Sequence, residues 1–130
     1  MADLEQVRAF CDGEPALSHL GLRVDAVDGT SVTASMPVTT AMVNELGVVH
    51  GGYAFLLADS CFALVNYAAG HPSLTRHAEI TFVGPAAPGL LHATGRLHSI
   101  HGRSCIVDVS VTGDDGSRVA ELRVHGTAPR

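Results

Sequence analysis

The 130-residue chain has no tryptophan, no run of basic residues and no Cys-x-x-Cys pair. Each absence removes a class of function. With a formal net charge of −5 and no basic block, the electrostatic footprint of a nucleic-acid-binding protein is missing. The three cysteines, Cys11, Cys61 and Cys105, are odd in number and far apart, which excludes a disulfide framework or a cysteine zinc site. A reducing cytoplasm is the setting such a pattern predicts. His92, His98 and His101 share one strand and its turn without a His-x-x-x-His pair or an acidic cluster, so no metal is expected. Met1–Gln6 is acidic and lacks the apolar centre of a signal peptide. The chain has no internal repeat and no low-complexity stretch. Its one long apolar run, Tyr53–Ala69, contains Asp59, Ser60 and Asn66 and has no flanking Lys or Arg anchors. Central ionisable residues are costly in lipid, so this run reads as a buried helix and no membrane partner is expected.

What is present fits one folded domain over residues 1–130. Hydrophobic residues make up 46% and charged residues 16%, enough to build a core in a chain of this length. Leu4–Cys11 reads as a short amphipathic helix ended by Asp12-Gly13-Glu14-Pro15. His19–Val24 is a weak strand candidate, followed by a turn at Asp28-Gly29. Ser31–Val38 has period two, with Val32, Ala34, Met36 and Val38 on one face and Pro37 marking an edge or exit. Thr39–Val49 is a loop. Gly51–Ala69 predicts a helix apolar on nearly every side, which requires burial, and Gly70-His71-Pro72 stops it. His77–Val83, Leu90–His98, Ser104–Thr112 and Arg118–Gly126 then alternate as strands, separated by Gly84-Pro85, Pro88-Gly89, His101-Gly102 and Asp114-Asp115-Gly116. This order predicts an α+β fold, an antiparallel sheet curled around one long buried central helix.

The chemistry concentrates between Asn44 and Asp59. The first N–H groups of a helix lack intrahelical partners and sit at the positive end of its dipole. Gly51 and Gly52 have no Cβ there, so a carbonyl oxygen can approach and be polarised. Asp59 is the only charge on the helix, among Leu57, Ala58 and Phe62. A carboxylate in such surroundings needs a partner or a task; it can attack a carbonyl or act as general base toward water. Eight residues separate Gly51 from Asp59, about 12 Å along a helix. One small reacting centre cannot touch both from the same helix. A two-fold dimer with antiparallel helices is therefore expected, with Gly51 of one chain facing Asp59 of the other.

His50-Gly51-Gly52, then Ala58-Asp59-Ser60, with Asn44 six residues before His50 and Gly47 between, resembles the hotdog-fold thioesterases, most closely the phenylacetate-degradation (PaaI-like) branch. The resemblance runs from about Leu20 to Thr127 and takes in Ile80-Thr81-Phe82 and Gly84-Pro85. It implies a hotdog fold and an acyl-CoA substrate; the apolar helix residues suit an aromatic or medium-chain acyl group. It also implies shared sites in a homodimer, with dimers pairing further, and no cofactor, since CoA is part of the substrate. Asp59 matches the catalytic carboxylate and Gly51 the residue whose N–H polarises the thioester carbonyl. His50 and Asn44 match residues supporting the loop near the reacting centre. Thr75 matches a Ser or Thr that orients the water. Gly52, Ser60, Val83, Gly84 and Arg103 fall at substrate or CoA positions, Arg103 toward the nucleotide phosphates. Tyr53, Phe55 and Leu56 are expected to line the acyl pocket. A non-catalytic acyl-CoA-binding hotdog protein is the competing reading, and it has no need of Asp59.

Overall fold

The computed structural model describes residues 1–130. In chain order its elements are α1 (Leu4–Asp12), α2 (Pro15–Ser18), β1 (Arg23–Asp28), β2 (Ser31–Val38), α3 (Gly51–Ala68), β3 (Leu74–Phe82), β4 (Gly89–His101), β5 (Ser104–Thr112) and β6 (Arg118–Thr127). The six strands form one antiparallel sheet in the order β1-β2-β4-β5-β6-β3. β3 is therefore an edge strand, hydrogen-bonded to β6 alone. α3 lies against one face and touches β2, β3, β4, β5 and β6. This is the sheet around a central helix expected from the chain's periodicity.

The period-two faces pack as their alternation requires. Val32, Ala34 and Met36 of β2, Val107, Val109 and Val111 of β5, and Ala120, Leu122 and Val124 of β6 are buried beneath α3. Pro37 lies beyond the last β1 partner of β2, Ser35, so its missing N–H breaks no ladder bond on that side. The strand expected at His19–Val24 begins only at Arg23. Pro15 starts an extra helical turn, α2, and Gly21 takes a φ of 69° at the bend that follows. β3 starts three residues earlier than expected and β4 runs three residues further. Each contains a register shift, at Arg76 and His98, that breaks the alternation.

The central helix also departs from its expected all-round burial. Leu57, Ala58, Cys61, Phe62, Leu64 and Val65 are buried, but Gly52, Phe55, Leu56, Asp59 and Ala63 form an open stripe at helical spacing. The Asn66 side chain is wholly buried and finds no hydrogen-bond partner within the chain. No helix is long and apolar enough to cross a membrane.

Two glycines let α3 sit close to the sheet. A Cβ on Gly95 would lie 2.8 Å from a Val65 methyl. On Gly126 it would collide with the Phe62 ring tip and lie 3.0 Å from the Leu74 carbonyl oxygen. Phe62 is the largest fully buried side chain and has no room to retreat in a close-packed core. Gly126→Ala is expected to lower stability by about 2 kcal/mol through overpacking, read as a drop of several degrees in Tm. Phe62→Leu in the same chain should restore part of that loss. No restoration would mean that the backbone, not the ring, is the obstacle.

Candidate active site

The loop before α3 is built around Asn44. Its Oδ1 accepts from the N–H groups of Leu46 at 2.9 Å and Val48 at 3.3 Å, and its own N–H donates to the Val48 carbonyl. Val43 and Val49 close the loop as an isolated antiparallel bridge. Gly47 turns the chain with a φ of 79°. Asn44 therefore shapes the loop that delivers His50, as an Asx turn does.

His50 is the N-cap of α3. Its backbone is extended, at φ −61° and ψ 131°, and its Nδ1 accepts from the Gly52 N–H at 3.0 Å. Gly52 is thereby reassigned. Its amide is committed to the cap, and a Cβ there would press to 3.2 Å of the imidazole. It makes room for His50 and does not offer a donor to substrate. The Gly51 N–H, by contrast, has no acceptor in the chain, at the positive end of an 18-residue helix. Above it lies Phe82, whose ring atoms would sit 2.9 Å from a Cβ on Gly51.

Asp59 is half-buried on the open stripe, two turns along α3. Thr75 donates its hydroxyl to Asp59 Oδ1 at 2.6 Å. Oδ2 accepts from no group of the chain. This pairing depends on a bulge. In β3 the inward residues are the even ones, Ala78 and Ile80, paired with Val124 and Leu122; odd-numbered Thr75 would face outward. Arg76 is the extra residue, unpaired between Thr75↔Gly126 and His77↔His125. It shifts the alternation by one and turns Thr75 toward α3.

β3 thus runs opposite to α3, with its first turn over Asp59 and its last residue over Gly51. Its other side is free. Leu74, Phe82 and Val83 are 66%, 55% and 50% exposed.

Two cavities meet at Asp59. The larger, about 620 Å³, is bounded by Phe62, Ala63, Pro72, Leu74, Thr75 and Pro129. The smaller, about 200 Å³, lies between α2 and α3 against Ala16, Leu17, Leu56, Ser60 and Leu64. Phe10, Glu14, Asp59 and Ala63 line both. Of the apolar residues expected to line an acyl pocket, Leu56 is there and Tyr53 and Phe55 are not. Phe10 of α1, Glu14 between the helices and Leu17 of α2 have no periodicity signal to mark them as lining residues.

Other residues expected at substrate or CoA positions make contacts within the chain. The Ser60 hydroxyl donates to the Leu56 carbonyl at 2.7 Å and is buried. Val83 and Gly84 donate their N–H groups to the Val119 carbonyl. A Cβ on Gly84 would lie 2.8 Å from the Arg118 carbonyl oxygen, so a larger residue does not fit. Arg103 donates from Nε to the Ala128 carbonyl at 2.9 Å, tying down the end of the chain. Burial pushes the Cys61 thiol up to about 12, so near neutral pH it is not a thiolate nucleophile.

Comparison with known proteins identifies the family and the fold. The family model described as the thioesterase superfamily matches residues 46–120. A Pseudomonas aeruginosa protein named as an esterase, PA1618, is 33% identical over 118 residues, covering 88% of this chain and 81% of that one. The acyl-coenzyme A thioesterase PaaI of Escherichia coli K12 is 25% identical over 92% of this chain and 86% of its own. The solved structure of E. coli PaaI, from the phenylacetic acid degradation operon, superposes with a TM-score of 0.90 over 97% of this chain and 92% of that one, at 24% identity. The smu.793 protein of Streptococcus mutans, solved bound to acetyl CoA, superposes with a TM-score of 0.78 over 83% of this chain and 88% of that one, at 25% identity.

Proposed function

The chain belongs to the thioesterase superfamily, as a PaaI-like hotdog thioesterase, and from that membership we propose that it hydrolyses acyl-CoA thioesters at a site shared between two subunits. The acyl group is aromatic or medium-chain, in keeping with the apolar cavities beside Asp59. CoA takes part only as a portion of the substrate, a reading consistent with the acetyl CoA bound to the S. mutans relative. Three buried free thiols fit a reducing, cytoplasmic setting.

The observation that carries the reading is the division of labour along α3. An uncommitted helix-start N–H lies at Gly51, and an oriented carboxylate lies at Asp59, two turns away. In the proposed reaction the thioester oxygen accepts from the Gly51 N–H. Asp59, held by Thr75, either removes a proton from the attacking water or attacks the carbonyl itself. The tetrahedral oxyanion is stabilised at Gly51, and its collapse expels the CoA thiolate and leaves the free acid. In the direct-attack route a mixed anhydride forms on Asp59 and water then cleaves it. Oxygen-18 from solvent water enters the aspartate only in that route.

A second copy completes the site by simple geometry. β3 is a nine-residue edge strand with exposed apolar residues at both ends, and an edge of that kind invites pairing. If two β3 strands pair antiparallel about their middle, Thr75 of one chain lies beside Phe82 of the other. Asp59 of one chain then approaches Gly51 of the other, and two equivalent sites form.

Thiol release from a panel of acyl-CoAs tests the activity, and subunit mixing tests the sharing. Asp59→Ala and Gly51→Pro are each inactive in this scheme. Refolded together in equal amounts, half of the dimers are mixed and each has one intact site. About a quarter of wild-type activity should return. No recovery, in a mixture shown to contain mixed dimers, would place both groups within one chain. No thiol release from any acyl-CoA would favour a binding protein without catalysis.

A further inference from the structure

We infer that Glu14 is a specificity-determining residue that reads the far end of the acyl group. It favours an end that can donate a hydrogen bond and rejects one that carries a negative charge. The inference rests on the thioesterase reading above and adds to it a residue outside the His-Gly-Gly and Asp59 motif.

Glu14 stands where the two cavities join and lines both. It is half-buried at the N-cap position of α2, where its side chain accepts no hydrogen bond from the helix start, and it forms no ion pair or hydrogen bond with any other side chain of the chain. The other polar side chains lining these cavities are occupied. Thr75 donates to Asp59, Ser60 donates to the Leu56 carbonyl, and Ser73 bonds to its neighbour His71. The only ionisable groups lining either cavity are two carboxylates, Glu14 and Asp59, with no cation beside them.

The chemistry follows directly. An acyl chain whose carbonyl lies at Asp59 extends between Phe10, Phe62 and Ala63 and meets Glu14 as its one unsatisfied polar neighbour. A terminal hydroxyl can donate to that carboxylate, and a site built to hydrogen-bond a substrate hydroxyl discriminates strongly against the analogue lacking it. A terminal carboxylate meets two like charges in a partly desolvated groove, where repulsion is stronger than in water.

Three CoA esters with six-carbon acyl groups test this: hexanoyl-CoA, 6-hydroxyhexanoyl-CoA and adipyl-CoA. Their kcat/KM values are measured on wild type, Glu14→Gln and Glu14→Leu as the assembled enzyme, with melting curves confirming that each variant is folded. In wild type, adipyl-CoA should be at least about tenfold poorer than hexanoyl-CoA, and the hydroxy ester better than hexanoyl. Glu14→Gln removes the charge but keeps an acceptor, so the adipyl-to-hexanoyl ratio should rise about tenfold while the hydroxy preference persists. Glu14→Leu should raise the adipyl ratio and abolish the hydroxy preference. Hydrolysis with both ratios within about twofold of wild type in both variants would overturn the role of Glu14 and leave the thioesterase reading standing. No hydrolysis of any ester by wild type would overturn both.

Discussion

Asp59→Asn should lower kcat on acyl-CoA by about three orders of magnitude, the upper range for loss of a positioned base or nucleophile. The substitution keeps the shape of the side chain and an oxygen for the Thr75 hydroxyl, whose bond to Oδ1 is 2.6 Å. It removes the basic oxygen, Oδ2, which no protein group occupies. KM should change little, because substrate binding is spread over the apolar cavities. Melting temperature should be unchanged or raised, since a half-buried carboxylate without an ionic partner gives the fold nothing that an amide cannot. Steady-state thiol release and a thermal melt check both halves. Full activity in Asp59→Asn or Asp59→Ala would end the catalytic assignment. A parallel fall in stability would point instead to a structural carboxylate.

Gly51→Pro should reduce kcat by about a hundredfold to a thousandfold, and Gly51→Ala by much less. The pair is informative because each adds a Cβ against the Phe82 ring, while only proline removes the N–H. Proline is otherwise well suited to this place. The first helical position needs no donor for the helix itself, and the ψ of 131° at His50 is the extended value that a residue before proline adopts. Either side chain meets the Phe82 ring at the same Cβ position, so any loss from crowding is common to both variants. Circular dichroism should show α3 intact in both variants. Equal losses in the two would mean that crowding at Phe82, and not the amide, is responsible.

The parts of the fold legible in the sequence are those governed by local pattern. α3 announces itself by an apolar run closed by Gly70-His71-Pro72, and β2 and β5 by uninterrupted alternation. The misplacements occur where a local irregularity overrides the period. α2 and the left-handed Gly21 displace β1, Arg76 hides the start of β3, and His98 hides the end of β4. The candidate site divides in the same way. His50, Gly51 and Asp59 lie on one continuous segment and can be read there. Thr75 was found by resemblance alone, because periodicity assigns it to the wrong face. Gly52, Ser60, Gly84 and Arg103 each make a contact inside the chain: Gly52 donates to His50 Nδ1, Ser60 to the preceding helical turn, Gly84 to the Val119 carbonyl and Arg103 to the Ala128 carbonyl. Residue type does not reveal such commitments. Glu14 sits in a helix-breaking tetrapeptide and comes to line the cavities only once the chain folds α1 and α2 against α3.

The bulge at Arg76 has a consequence for how this chain can vary through descent. The contact between Asp59 and Thr75 depends on parity: one supernumerary residue separates a hydroxyl aimed at the helix from one aimed at water. Losing that residue would yield a straighter strand with an unbroken ladder to β6 and a hydroxyl facing solvent. Selection for a more regular edge strand would therefore work against the chemistry. Single-residue gains or losses in this stretch should be purged even where most substitutions pass.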